Sequence, residues 1–236
     1  MSILAVAHRG YSARWPENTV AGCRAAIAAG ADLVEADVRL SADGTPFCFH
    51  DPDLARLAGD PAAVAERGDA ELRAVRYRGG EPPAEFSQIV AETRGRSGLL
   101  VDVKLDGEPV LEALERVLAA AGWPENAWLG LRSPGQAERA RRRFGRRVAV
   151  LALMRELADA EAFLAAGAQA LRLWERQLDS GEARSLRARS AIWVTAGGSA
   201  GHKVGDTDAA GLRRIADFGP QAVLLNDPTL LAAMGT

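Results

Sequence analysis

Short apolar runs alternate with amphipathic stretches along almost the whole chain. Residues 3–7, 32–38, 99–103, 127–131, 148–153, 170–173, 191–195 and 222–225 are dominated by Val, Ile, Leu and Ala. That is the pattern of strands covered on both faces. Between them, apolar residues recur at helical spacing over 18–30, 86–93, 110–121, 136–144, 159–166, 180–189, 208–218 and 229–234. Gly30, Gly122, Gly167 and Gly219 stand where these helices would end, as C-caps require. Strand–helix units repeated in this way imply a parallel sheet wrapped by helices. Eight of them in 236 residues is the size of a (β/α)8 TIM barrel. The expected fold is therefore α/β, a single TIM-barrel domain over 1–236. An open doubly wound sheet is the main alternative, but the first strand carries no Gly-x-Gly-x-x-Gly dinucleotide fingerprint.

One excursion breaks the rhythm. Asp43-Gly44, a hairpin turn pair, lies between the apolar segments 38–40 and 46–49. The second strand is thus expected to run into a hairpin that returns His50 to the barrel mouth. Residues 52–83 are punctuated by Gly59, Asp60-Pro61, Gly68, Gly79-Gly80 and Pro82-Pro83, and read as a long loop. Such loops are often functional; a lid and a surface insertion without a role fit equally well. The glycine-rich segment 197–205, with Lys203, follows the seventh strand. It reads first as a surface connector, and second as a phosphate-binding loop or lid.

Composition narrows the class. The chain is 48% hydrophobic and 25% charged, as in ordinary soluble domains. Its net charge of −2 favours neither nucleic acid nor an anionic membrane surface as a partner. No apolar stretch approaches the roughly 20 residues of a membrane span, so no stable membrane association is expected. The N-terminus has no basic leader-like region, and a cytoplasmic protein is expected. Cys23 and Cys48 read as buried, reduced thiols. Self-association remains open.

Polar residues intrude at strand ends, where a barrel presents its active site. His8 and Arg9 end the first strand, Glu35 and Asp37 share one face of the second, and Asp102 and Lys104 share one face of the third. Trp193 and Thr195 do so on the seventh, and His50 returns on the hairpin. Carboxylates in apolar strands are costly to bury unless paired or bound to metal. Three converging acids suit a hard divalent ion, Mg²⁺ or Ca²⁺. If the histidines were ligands too, Zn²⁺ or Mn²⁺ would be favoured. Acid–base roles for His8 and His50 are preferred, since three carboxylates already satisfy a hard ion. Taken singly, each group also has a plain structural explanation: Glu35 and Asp37 pairing with Arg9 and Arg39, or Asp102 with Lys104. Trp174, beside Arg172, reads first as packing and second as a residue lining the mouth.

His8-Arg9-Gly10, Pro16-Glu17-Asn18-Thr19, Glu35-x-Asp37, Asp43-Gly44 and His50-Asp51 together resemble the signature of the glycerophosphodiester phosphodiesterase family. The resemblance is dense over 5–57 and resumes at Val101-Asp102-Val103-Lys104. It thins afterwards to Trp193 and Asn226-Asp227-Pro228. It implies a TIM barrel that hydrolyses glycerophosphodiesters to glycerol 3-phosphate and an alcohol. It further implies His8 and His50 as the acid–base pair, and Glu35, Asp37 and Asp102 as ligands of Mg²⁺ or Ca²⁺, with Mn²⁺ also admissible. Arg9, Lys104 and Trp193 would contact substrate, and Asn18 and Asp51 would support the site. The chain departs from the family in Asp102, where glutamate is usual, in the run after Trp193, and in Asn226-Asp227 where a Thr-Asp pair is usual. The last two departures blur substrate contacts rather than the catalytic core. Two alternatives stay in view: phospholipase D-like action on lysophospholipids or sphingomyelin, and, supported by Asp102 and the altered C-terminal motifs, a phosphodiester- or metal-binding barrel without turnover.

Overall fold

The computed structural model describes residues 2–198 and 201–232. The strands are β1 (Leu4–Ala7), β2 (Leu33–Leu40), β3 (Pro46–Cys48), β4 (Gly98–Val103), β5 (Ala127–Leu131), β6 (Ala149–Ala152), β7 (Ala170–Trp174), β8 (Ala191–Thr195) and β9 (Ala222–Leu225). All except β3 pair in parallel, in the order β1-β9-β8-β7-β6-β5-β4-β2, and β1 pairs with β2 to close the barrel. The eight-stranded parallel barrel expected from the periodicity is present. The open sheet is excluded by the β1–β2 pairing of Val6 with Leu33 and Ala7 with Val34.

Two apolar layers hold the barrel. Val6, Leu33, Leu100, Leu151, Ala170, Trp193 and Ala222 fill its interior. The alternate strand residues, among them Ala7, Val34, Val101, Leu129, Val150, Leu171 and Val194, pack outwards against the helices. A strand buried on both faces cannot alternate apolar with polar, which is why the runs are continuous. Hydroxyl and carboxylate caps set the helix starts. Thr19, Ser133, Ser180 and Asp208 accept from the backbone N–H of Gly22, Gln136, Ala183 and Gly211. Predicted and observed helices differ by one or two residues at these caps. The helix expected over 229–234 is described for Thr229–Ala232, and its last two positions lie outside the described residues.

The excursion after β2 is more ordered than the sequence suggests. β3 pairs antiparallel with β2, Val38 opposite Cys48 and Leu40 opposite Pro46, as Asp43-Gly44 predicts. Residues 52–83 are no featureless loop. They contain helices Ala55–Ala58 and Asp69–Ala74 and a one-turn 3-10 helix, Val64–Glu66. Phe47, Phe49, Leu54, Val64, Leu72 and Tyr77 form a small core of their own. Phe49 and Tyr77 meet edge-on with ring centroids 5.6 Å apart. Each large apolar side chain buried there contributes about 1.5–3 kcal/mol. This cluster seats the segment beside the barrel mouth and fixes the path of the chain into His50. No helix among the described residues is long and apolar enough to cross a membrane.

Candidate active site at the barrel mouth

The turn after β1 is the most constrained backbone in the site. Arg9 and Asn18 both have φ near +58°, a left-handed conformation that costs a residue with a β-carbon. Hydrogen bonds hold them there. The Arg9 N–H donates to Glu35 Oε2 at 2.6 Å, and the Asn18 N–H donates to the Arg9 carbonyl at 3.0 Å. Gly10, with φ +80°, passes so close to the helix after it that a β-carbon would lie 2.9 Å from the Gly22 carbonyl carbon. The Pro16-Glu17-Asn18-Thr19 motif is explained by the same packing. Asn18 donates from Nδ2 to Asp37 Oδ2 and accepts the Asp37 N–H at Oδ1, while Thr19 caps the helix Val20–Ala28.

His8, Arg9, Glu35, His50, Asp102 and Lys104 open onto one cavity of about 530 Å³, within the usual range for small-molecule sites. Oxygens of Glu35, Asp37 and Asp102 lie within 4.8 Å of one another. Burial, with Asp37 and Asp102 adding like charge, raises the Glu35 pKa well above the carboxylate range. Burial acts on Asp37 too, but Lys104 and Arg9 outweigh it and hold that carboxyl below its ordinary range. A buried trio of acids that cannot all ionise comfortably is the donor set a hard divalent cation satisfies, so the residues present fit such an ion.

Each histidine has a fixed support. Asn226 donates from Nδ2 to the Val204 carbonyl at 2.9 Å and to Asp206 at 2.7 Å, which turns its Oδ1 towards His8 Nδ1, 2.7 Å away. His8 must therefore carry its proton on Nδ1 and keep a lone pair on Nε2. Burial, reinforced by the charge of Arg9, lowers the His8 pKa to about 4, so the ring is neutral near pH 7. His50 Nδ1 lies 2.7 Å from Asp51 Oδ1, and Arg39 donates from Nε and Nη2 to the His50 carbonyl.

An alternating chain of ions links the two halves of the site. Asp51 Oδ2 meets Arg56 Nε at 2.5 Å, and Arg56 pairs with Glu17 at 2.7 Å. Glu17 pairs with Arg9 at 3.1 Å, and Arg9 lies 3.3 Å from Asp37. Lys104 Nζ bridges Asp37 at 2.7 Å and Asp102 at 2.6 Å, and the Arg132 guanidinium grips both oxygens of Asp102. The structural pairing of Asp102 with Lys104 weighed from the sequence is thus present, alongside the convergence of acids.

Trp193 is placed differently from the expected substrate contact. It is 1% exposed and packs against Trp128 with centroids 4.7 Å apart and the rings tilted by 49°, filling the barrel floor. It does not line the cavity; Thr195, two residues further along β8, does. Trp174 takes the second of its two readings and lines the cavity beneath Arg172. Asn226, a departure expected to blur substrate contacts, is the partner of His8. The 197–205 segment is more than a connector. The Gly205 N–H donates to the Ala196 carbonyl at 2.8 Å, and the Asn226 N–H to the Gly205 carbonyl at 2.8 Å, so its stem backs His8. Ser199 and Ala200 of that segment lie outside the described residues. Arg132 follows β5 and Arg172 sits within β7, so the strand-end rule could have found both. Arg56 lies where no periodicity guides the eye.

Residues 8–163 match the model of the Glycerophosphoryl diester phosphodiesterase family. A Mycobacterium tuberculosis protein named probable glycerophosphodiester phosphodiesterase 1 is 46% identical over 72 residues, 30% of this chain and 26% of its own. The glycerophosphodiester phosphodiesterase of Bacillus altitudinis is 29% identical over 106 residues, 42% of this chain and 43% of its own. The chain therefore spans less than half the length of these curated relatives. An Oleispira antarctica phosphodiesterase, solved with the product sn-glycerol-3-phosphate, superposes over 98% of this chain and 95% of its own. Its TM-score is 0.82 at 22% identity, which is likeness of fold.

Proposed function

Because the chain belongs to the glycerophosphoryl diester phosphodiesterase family, we propose that it hydrolyses glycerophosphodiesters to glycerol 3-phosphate and an alcohol, with a divalent metal and a pair of histidines. One observation carries this reading. Two histidines with fixed partners line a single cavity with Glu35 and Asp102, and Asp37 converges on those two acids within 4.8 Å.

In this reading the neutral His8 takes the proton of an attacking water at Nε2. The new bond forms between the water oxygen and phosphorus. The bond from phosphorus to the alcohol oxygen breaks, and His50, its ring held by Asp51, gives a proton to that oxygen. Arg9 and Lys104 stand beside the carboxylates and offset charge on the phosphoryl group. A divalent ion held by Glu35, Asp37 and Asp102 would polarise a phosphoryl oxygen, and Mg²⁺, Ca²⁺ and Mn²⁺ all suit that donor set. Asn226 and Asp51 fix the two rings, and Asn18 fixes Asp37.

Release of glycerol 3-phosphate from glycerophosphocholine, glycerophosphoethanolamine and glycerophosphoinositol tests the proposal. His8→Gln and His50→Gln should each lower kcat by about 10²–10⁴-fold. Chelation should abolish turnover, and added Mg²⁺, Ca²⁺ or Mn²⁺ should restore it. With His8 as base, the wild-type acid limb should appear only as pH falls towards the His8 value of about 4. Full activity in either variant, or turnover indifferent to chelation, would sink the mechanism.

A further inference from the structure

The far wall of the cavity carries three arginines that the mechanism does not use, with Glu156 beside them. β7 lies directly across the barrel from β2, which carries Glu35 and Asp37. From β7, Arg172 projects into the cavity with its guanidinium 3.9 Å from the centre of the Trp174 ring. Arg172 is 7% exposed, and its Nη1 is buried with no hydrogen-bond partner. No carboxylate among the described residues pairs with it within ion-pair distance, although most other buried or half-buried charges of this site are paired. Arg176 approaches the same ring at 5.2 Å, and Arg155 adds a third guanidinium to the lining. Burial lowers the Arg172 pKa to about 10; the charge of Asp102 opposes this from beyond ion-pair distance, and those of Arg132 and Arg176 add to it.

A buried guanidinium without a counterion is costly to maintain. Its planar fork suits a phosphate or carboxylate, which can accept two parallel hydrogen bonds. Arg9 and Lys104 are already engaged by Glu17, Asp37 and Asp102, so Arg172 is the unspent donor. A second cavity of about 510 Å³ adjoins the first at His8, Arg9 and Val204. Its lining is mixed, with Glu17 and Asp206 beside Arg56 and Lys203, and Ser12 and Asn226 among them. A diester has two arms. The mixed side suits the uncharged hydroxyls of glycerol, and the arginine side suits the other arm.

We propose that Arg172, with Arg155 and Arg176 around Trp174, forms an anion-binding subsite for the alcohol arm of the substrate. The enzyme then selects glycerophosphodiesters whose alcohol carries its own phosphate or carboxylate over the zwitterionic choline and ethanolamine diesters. A cationic head group would face three arginines there. The inference rests on the activity proposed above and specifies its substrate.

The test compares kcat/KM for glycerophosphoinositol 4-phosphate and glycerophosphoinositol, which differ by one phosphate, with glycerophosphoserine as the carboxylate case and glycerophosphocholine as the cationic one. The phosphorylated diester should exceed glycerophosphoinositol by about tenfold, one good charge-assisted contact. Glycerophosphoserine then shows whether carboxylate serves as well as phosphate. Arg172→Gln should collapse the phosphate preference towards one, mainly through KM, and Arg172→Lys should restore part of it. Arg155→Gln and Arg176→Gln, both on exposed residues, should each lower it about threefold and guard against a folding defect at position 172. Equal rates for the two inositol diesters, or a loss in Arg172→Gln that is uniform across the panel, would overturn the subsite. If no diester is cleaved, the proposed activity fails, and binding of pyrophosphate to chelator-treated protein decides the subsite alone. Binding lost in Arg172→Gln supports it; binding unchanged there overturns it.

Discussion

A β-carbon at position 205 would sit 2.2 Å from Asn226 Oδ1 and 2.8 Å from His8 Nδ1, and Gly205 has φ +86°. Only glycine combines that backbone with that approach. Gly205→Ala should push Asn226 and the His8 ring out of register. Since misplacing a reacting group by an ångström can cost about 10²-fold, we expect kcat to fall at least about tenfold with a smaller change in KM. Steady-state kinetics on glycerophosphoinositol checks this; an unchanged kcat would show that Gly205 does not set the imidazole. At this scale the sequence was partly legible. His8, Glu35, Asp37, His50, Asp102 and Lys104 announced themselves as polar groups at strand ends. The role of Asn226 did not, because its contact depends on how the 197–205 stem turns back. Trp193 misled for a simpler reason. Its parity on β8 points inwards, but its depth along the strand places it below the cavity.

At the level of elements, periodicity identifies strands and helices wherever apolar spacing is continuous, and all eight barrel strands were legible for that reason. It fails over 52–83, where glycines and prolines interrupt every period and the elements are only a few residues long. What orders that segment is the cluster around Phe49, Leu54, Leu72 and Tyr77, brought together from separate short pieces. Leu72 is fully buried there. Leu72→Ala should cost about 2–5 kcal/mol locally and loosen the seat of His50, Asp51 and Arg56. Limited proteolysis should then cut within 52–83 before the barrel is attacked, and kcat should drop. Cleavage of variant and wild type at equal rates would show that the segment owes its order to something other than this core.

For the molecule as a whole, the crowding of Glu35, Asp37 and Asp102 would couple the proposed metal to stability. The chain must hold these acids together whether or not a cation is present, and in its absence burial and the like charges of Asp37 and Asp102 push the Glu35 pKa well above the carboxylate range. An ion that binds only the folded protein adds about 2.7 kcal/mol at a concentration one hundred times its Kd. For a chain of this length that corresponds to a Tm rise of about 5–10 °C. Thermal unfolding of chelated protein with and without Mg²⁺, Ca²⁺ or Mn²⁺ measures it. Glu35→Gln should raise the Tm of the chelated protein while shrinking the metal-induced rise. A metal response unchanged in Glu35→Gln would remove Glu35 from the ligand set.

The ion chain from Asp51 through Arg56, Glu17, Arg9, Asp37, Lys104 and Asp102 to Arg132 alternates in sign at every step. Losing one member strands its neighbours, since removing one partner of a buried pair leaves an uncompensated charge. Substitutions along it are therefore coupled rather than additive. Over generations such a chain can be revised only by compensation. A descendant that gives up Arg56 must also give up Glu17 or Asp51, and one that lengthens Asp102 by a methylene must find a new place for Arg132. Asp102→Glu should therefore be tolerated better together with a change at Arg132 than alone.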